Sequence, residues 1–187
     1  MNYSLPESLN VGGIDYGIRA DFRVILDAIS ALNDPDLYPI ERAEACVRII
    51  FPDWRKIENH SEAYERCMWF IACGEKDTGG TKKPKVMDWQ QDFDLIVSPV
   101  NTNLGYDCRR ESPTHWWTFV SAYYGIGECA FSCITNIRRK LASGKPLDKW
   151  EKTYYAENAD LIKLKTRLSS EEQAEIDEIL GGESYGQ

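Results

Sequence analysis

Apolar residues in this chain recur mostly at the three-and-four spacing that gathers them on one side of a helix. Only the N-terminal stretch alternates instead. In SLNVGGIDYGI, apolar and polar positions alternate on both sides of Gly12-Gly13, a pair able to take the positive φ angles of a two-residue hairpin turn. The pattern predicts a β-hairpin with strands Ser8 to Val11 and Ile14 to Ile18, too short to stand alone. Phe22, Ile25, Leu26, Ile29 and Leu32 then mark a helix started by Asp21 and ended by Asn33-Asp34-Pro35. Pro39 suits the first turn of a second helix, carrying Ile40, Ala43, Cys46, Val47 and Ile50 as far as Pro52. A third helix, Ser61 to Ala72, is expected to bury Tyr64, Cys67, Met68 and Ile71.

The periodicity lapses over Gly74 to Lys85, a polar, glycine- and lysine-rich stretch that reads as a mobile loop at about residues 74–86. Beyond it Trp89, Phe93, Ile96, Val97 and Val100 share a helical face, with Pro99 expected to kink or shorten the last turn and Asn101 to Pro113 to form a polar connection. A helix opened near Glu128 carries Ala130, Ile134, Ile137 and Leu141, its basic run Arg138-Arg139-Lys140 suits the helix C-terminus, and Gly144 ends it. Asp148 starts a helix with Trp150, Tyr154 and Tyr155, interrupted near Asn158. Ser169 and Glu172 form a capping box for a last helix to about Leu180, before a tail at residues 181–187 that should fray. The sum is a mainly α chain: a multi-helix single domain spanning residues 1–187, with a small N-terminal β-hairpin at about residues 8–18.

One segment stands apart. THWWTFVSAYYGIGE, from Thr114 to Glu128, has no Asp, Glu, Lys or Arg before its last residue. As a helix over Thr114 to Gly125, it stacks Trp116, Phe119, Val120 and Tyr123 on one face, with Trp117 and Tyr124 widening the arc. A helix that exposes its back to water usually carries charge there, so this one is either central to the domain or covered by a partner. Trp116, Trp117, Tyr123 and Tyr124 are therefore the candidate partner-binding residues, and the pattern leaves both readings open.

Composition narrows the function. A formal net charge of −8 argues against binding a phosphate backbone, and no apolar run approaches a membrane span of about 20 residues. The start MNYSLPESLN lacks the basic and apolar regions of a signal peptide. Six cysteines without a C-x-x-C pair read as reduced thiols. His115 could serve catalysis only with a nucleophile and an orienting group, and no G-x-S-x-G or comparable motif supplies them; a helix-start histidine is the plainer reading. Cys129 and Cys133 sit one helical turn apart but lack histidines at zinc spacing, so no metal is assigned. Carboxylate pairs such as Asp92 with Asp94 and Glu171 with Glu172 read as solvated faces. No phosphate-cradling glycine motif occurs, no cofactor is expected, and an enzyme is disfavoured.

The order of segments is itself informative: a hairpin leading into Asp21-Phe22-Arg23, then QQDFDLIVSPVNTNLGYD, then THWWTF, then FSCITNIRRK. This order resembles the bacteriophage Gp15 family of small tail assembly proteins of long-tailed phages and prophages of Gram-positive bacteria. Its His-Trp-Trp-x-Phe signature falls on His115, Trp116, Trp117 and Phe119, preceded by acidic residues at Asp88, Asp92 and Asp94 and followed by Ile137 and Arg138. The likeness runs from about Leu9 to Leu164.

The resemblance implies a tail assembly chaperone, a helper left out of the virion that keeps the tape measure protein soluble in the host cytoplasm while tail tube subunits polymerise. Implied partners are the tape measure protein, the tail tube protein and a neighbouring assembly chaperone. Homo-oligomerisation suits a coat-like helper, although no heptad run specifies it. An acidic protein with an aromatic helical surface could cover apolar stripes by helix-in-groove contacts. The rivals are a structural tail or connector protein retained in the particle, and a small enzyme using His115 with Cys129 or Cys133.

Overall fold

The chain folds as nine α-helices and one hairpin among the residues that the computed structural model describes, 4–75, 84–110 and 112–182. Strands β1 (Ser8–Val11) and β2 (Ile14–Gly17) pair antiparallel with Val11 opposite Ile14. Gly12 and Gly13 supply the turn at φ +60° and +83°, values that a side chain would strain. Leu9 and Val11 point inward, and the hairpin leans on the helices as its length requires.

Helix α1 (Phe22–Leu32) is capped by Asp21, whose carboxylate accepts from the Arg23 amide. Helix α2 (Pro39–Ile50) begins at its proline, and α3 (His60–Ile71) follows a 3-10 turn at Trp54–Lys56. The α3 inner face is Ala63, Cys67 and Phe70. The expected face is thus rotated: Met68 is exposed, and Tyr64 and Ile71 are only half-buried. Phe70 wins the inward position because two tryptophan rings close over the end of α3.

Helix α4 (Trp89–Leu104) runs through Pro99 and ends at Gly105 in the left-handed region, φ +76°. It is a full turn longer than expected, so residues 101–104 are helix and not connection. Tertiary bonds hold the turns beyond the proline: Asn101 accepts from the Cys108 amide at 2.8 Å, and Asn103 donates to the Ala122 carbonyl at 2.8 Å. Then come α5 (Trp116–Tyr124), α6 (Ala130–Ala142), α7 (Lys149–Glu157), the short α8 (Ala159–Ile162) and α9 (Ser170–Gly182). The break at Asn158 and the Ser169–Glu172 capping box are both present. The expected loop lies largely outside the described residues, as do tail residues 183–187.

The main core gathers β1 and α1 to α5, with Phe131 of α6. A smaller cluster of Ile134, Ile137 and Ile162 joins α6 to α8, and Leu95 of α4 packs against both. Helix α6 also turns differently from expectation. Ala130 and Leu141 are exposed, while Phe131, Ile134, Thr135, Ile137 and Arg138 face inward. All six cysteines are free thiols, and no described helix is long and apolar enough to cross a membrane.

Candidate functional site

The uncharged helix α5 sits at the centre of the main core. Trp116 is 2% exposed, and its indole N–H donates to the Ile71 carbonyl at 2.9 Å; Trp117, half-buried, donates to the Phe70 carbonyl at 2.9 Å. Both carbonyls belong to the last turn of α3, where helical amides run out; the Phe70 carbonyl also accepts from the Cys73 amide at 3.0 Å. The adjacent tryptophans thus close the end of a neighbouring helix with two aromatic donors. Tyr123 is half-buried against Trp89, ring centroids 4.9 Å apart. Of the four aromatic candidates only Tyr124 stands out in solvent, at 74% exposure.

His115 is the N-cap of α5. Its Nδ1 accepts from the Trp117 amide at 3.1 Å, which leaves Nε2 to carry the proton and donate to the Pro6 carbonyl at 3.0 Å. Both ring nitrogens are engaged in structure. The starts of α1 and α5 are laced together around it: Thr114 donates its amide to Asp21, Phe22 donates to the Thr114 carbonyl, and Trp116 donates to the Ala20 carbonyl at 2.7 Å. Burial pulls the Asp21 carboxyl upward, but the Arg23 guanidinium and the Arg23 and Thr114 amides outweigh it and hold its pKa below the usual value. Among the described residues no three His, Cys, Asp or Glu side chains gather as a metal site.

The accessible feature lies elsewhere. A groove of about 520 Å³ runs between the outer side of α1 and the segment leading into α4. Leu26, Ile29, Met87, Trp89 and Phe93 make its apolar lining, with Phe22 beneath, stacked on Phe119 at 4.3 Å. Arg23, Asp27, Lys85, Asp88 and Arg167 ring the opening. Apolar walls with a charged rim are the usual form of a site that takes an apolar ligand or helix face. Leu26 and Phe93 are half-buried wall residues, although helical spacing alone groups them with the core. One clue to the groove was legible: α1, FRVILDAISAL, carries charge only at Arg23 and Asp27, an apolar arc wider than one packed face needs.

A buried ion pair sets the α4 wall. Arg138, 4% exposed, clasps Asp92, 1% exposed, through two hydrogen bonds of 2.6 and 3.0 Å. This overturns the reading of Asp92 as a solvated carboxylate; α6 lays a guanidinium against it. Arg138 also donates to the carbonyls of Val86, Leu161 and Ile162, which satisfies the guanidinium fork on every side. Asp92 in turn accepts from the Asp88 amide at 2.9 Å, and Asp88 caps α4 through the Gln90 and Gln91 amides. One guanidinium thereby positions both Val86 and the α4 N-terminus beside the groove.

The acidic and Ile-Arg segments that sequence places in order are therefore bonded in space. The model of the bacteriophage Gp15 protein family matches residues 1–164, which takes in the hairpin, the groove walls, the Trp-Trp helix and the Arg138 site. The chain belongs to the bacteriophage Gp15 family. No curated protein and no solved structure matches it. Membership makes this a phage structural or assembly protein. The residues after 164, including Arg167 on the groove rim, lie beyond the matched segment.

Proposed function

We propose that this Gp15-family protein is a tail assembly chaperone that binds the tape measure protein in the host cytoplasm and keeps it soluble while the tail tube polymerises. The observation that carries the reading is the groove between α1 and α4: about 520 Å³, apolar inside and charged at the rim. A tape measure protein is a long, helix-rich chain whose apolar stripes would self-associate. A groove lined by Leu26, Ile29, Trp89 and Phe93 offers one such stripe a place apart from its own kind. The net charge of −8 keeps the resulting complex dispersed. Binding without catalysis also fits His115, whose two nitrogens are spent on a helix cap and a backbone carbonyl.

The α1–α4 groove takes the place of the aromatic helix as the proposed contact, because Trp116 and Trp117 are committed to the α3 carbonyls. Tyr124 remains available as an edge contact. A structural role in the particle is the second reading. It is favoured by the exposed apolar side chains Leu141, Trp150 and Leu161 on α6 to α8, which a permanent neighbour would cover.

Co-expression with the tape measure protein tests the proposal. The large protein is expected in the soluble fraction only when this chain is present, and this chain is expected to be missing from purified virions. Equal solubility with and without it removes the chaperone reading, and recovery of the chain from virions favours the structural one.

A further inference from the structure

Residues 163–170 leave α8 and pass the groove, which Arg167 lines, and none of residues 163–177 is buried. Lys163 through Ser170 are half-buried or exposed, and residues 171–177 of α9 are all exposed. The segment is held by polar contacts to α4 and to the connection that follows α1. On the α4 side, the Gln91 carboxamide donates to the Lys163 carbonyl at 2.8 Å and accepts from the Lys165 amide at 2.9 Å, and Arg167 pairs with Asp88 at 3.3 Å. Beyond the C-terminal end of α1, Asp36 accepts from the Ser170 amide at 2.7 Å and the Ser170 hydroxyl at 2.8 Å. The root of the segment is fixed differently, by Arg138 bonding the Leu161 and Ile162 carbonyls from inside the protein.

We propose that residues 163–170 are a releasable strap that ties the α4 wall to the α1–α2 connection, and that a helix-sized partner settles fully onto Leu26, Trp89 and Phe93 only when the strap lets go of Asp36 and Gln91. This inference rests on the groove being the partner site and adds its regulation. Three features carry it. The strap bridges α4 and the connection that follows α1, and its Arg167 lines the groove, so its bonds bear on how freely the groove can open. Four of its contacts are exposed hydrogen bonds, at Gln91 and Asp36, the class of interaction that contributes least and yields most readily to competition, and the fifth is a partly buried ion pair at 3.3 Å. Its anchored root keeps a released strap local, so it can close again after the partner leaves. The family match ends at residue 164, so the groove walls belong to the matched fold while nearly all of the strap follows it.

The neutral dye Nile red serves as the probe, titrated into three full-length proteins: the natural sequence, the double variant Asp36→Ala/Gln91→Ala, and that variant with Leu26→Glu added. Hydrogen exchange at the Lys165 and Ser170 amides is followed in parallel. The double variant is expected to bind dye about fivefold more tightly, as loss of a few exposed bonds implies. Its Lys165 and Ser170 amides should exchange faster, and Leu26→Glu should cancel the gain in dye binding. Faster exchange without tighter dye binding overturns the proposal, because the strap would then leave without changing the groove. Unchanged exchange overturns it as well, because Asp36 and Gln91 would not be what holds the segment. No tape measure protein enters the assay, so failure of the chaperone reading and failure of the strap give different results.

Discussion

Arg138 and Asp92, separated by 46 positions in the chain, meet as a two-point ion pair inside the protein, with Nη1 and Nη2 at 2.6 and 3.0 Å from the two carboxylate oxygens. A buried pair of this kind adds little net stability over apolar residues of the same shape, because both charges lose their water. Losing one partner is another matter, since the other charge stays behind. Asp92 additionally holds the Asp88 amide, and Arg138 holds three carbonyls. Their joint effect is positional: α4, α6 and the root of the strap are referred to one guanidinium.

Asp92→Leu is therefore expected to cost about 3 to 5 kcal/mol, and Arg138→Met a similar amount. The pair replaced together, Arg138→Met with Asp92→Leu, should lose less than the sum of the single changes. Urea unfolding of the four proteins decides the matter. Additive losses would mean that the two side chains act independently.

The Trp-Trp pair predicts a graded series. Trp116→Ala empties a core position and should cost about 3 to 5 kcal/mol. Trp117→Phe keeps most of the packing but removes one of the two donors to the Phe70 carbonyl, which the Cys73 amide still serves, for a loss of about 1 kcal/mol. Tyr124→Ala, at a position 74% exposed, should stay within about 0.5 kcal/mol of the natural sequence. Thermal and urea midpoints give the order, and a Tyr124 variant as damaging as Trp116→Ala would contradict this placement.

Acid should loosen the groove wall before it unfolds the core. Burial raises the Asp88 carboxyl, but the Lys85 ammonium, the Gln91 amide and the Arg167 guanidinium outweigh that and bring it from an ordinary 3.8 to about 2. The unfolded chain then takes up this proton at a higher pH than the folded one. The carboxylate's contribution, on the order of 2 kcal/mol, is complete above about pH 4 and is lost as the pH falls toward 2. Asp21, also held low, adds to the same trend. Asp88→Asn should flatten the dependence of the urea midpoint on pH over this window; an unchanged slope would remove Asp88 from the account.

Local rules made much of the fold legible. Gly12-Gly13, the caps at Asp21, Asp148 and Ser169, and the stops near Asn33 and Pro52 all work over a few residues, so the hairpin and most helix limits follow from sequence. What periodicity could not give was which side of a helix meets which neighbour. Met68 gave way to Phe70 once the indoles of Trp116 and Trp117 reached the end of α3, and Arg138 turned inward because Asp92 waits on α4. The turn after Pro99 survives on bonds from Asn101 and Asn103, which no local pattern announces. The groove is the same kind of fact. Leu26 and Phe93 look like core residues until α1 and α4 are seen to part beside them.

The sharpest division between readings comes from where the tape measure protein is held. Ser30→Arg fills the groove mouth without touching a core atom, and Leu26→Glu sets a carboxylate in its apolar lining. Both should leave the circular dichroism spectrum native while the co-expressed tape measure protein moves to the pellet. Tyr124→Ser, changing the exposed aromatic of α5, should leave it soluble. If Tyr124→Ser precipitates the partner and both groove variants do not, the contact belongs to the edge of α5 and the groove has another use. If all three stay soluble, neither face holds the tape measure protein. The assay separates these outcomes because Leu26 and Ser30 lie on α1 and Tyr124 at the far end of α5, so no single substitution alters both surfaces.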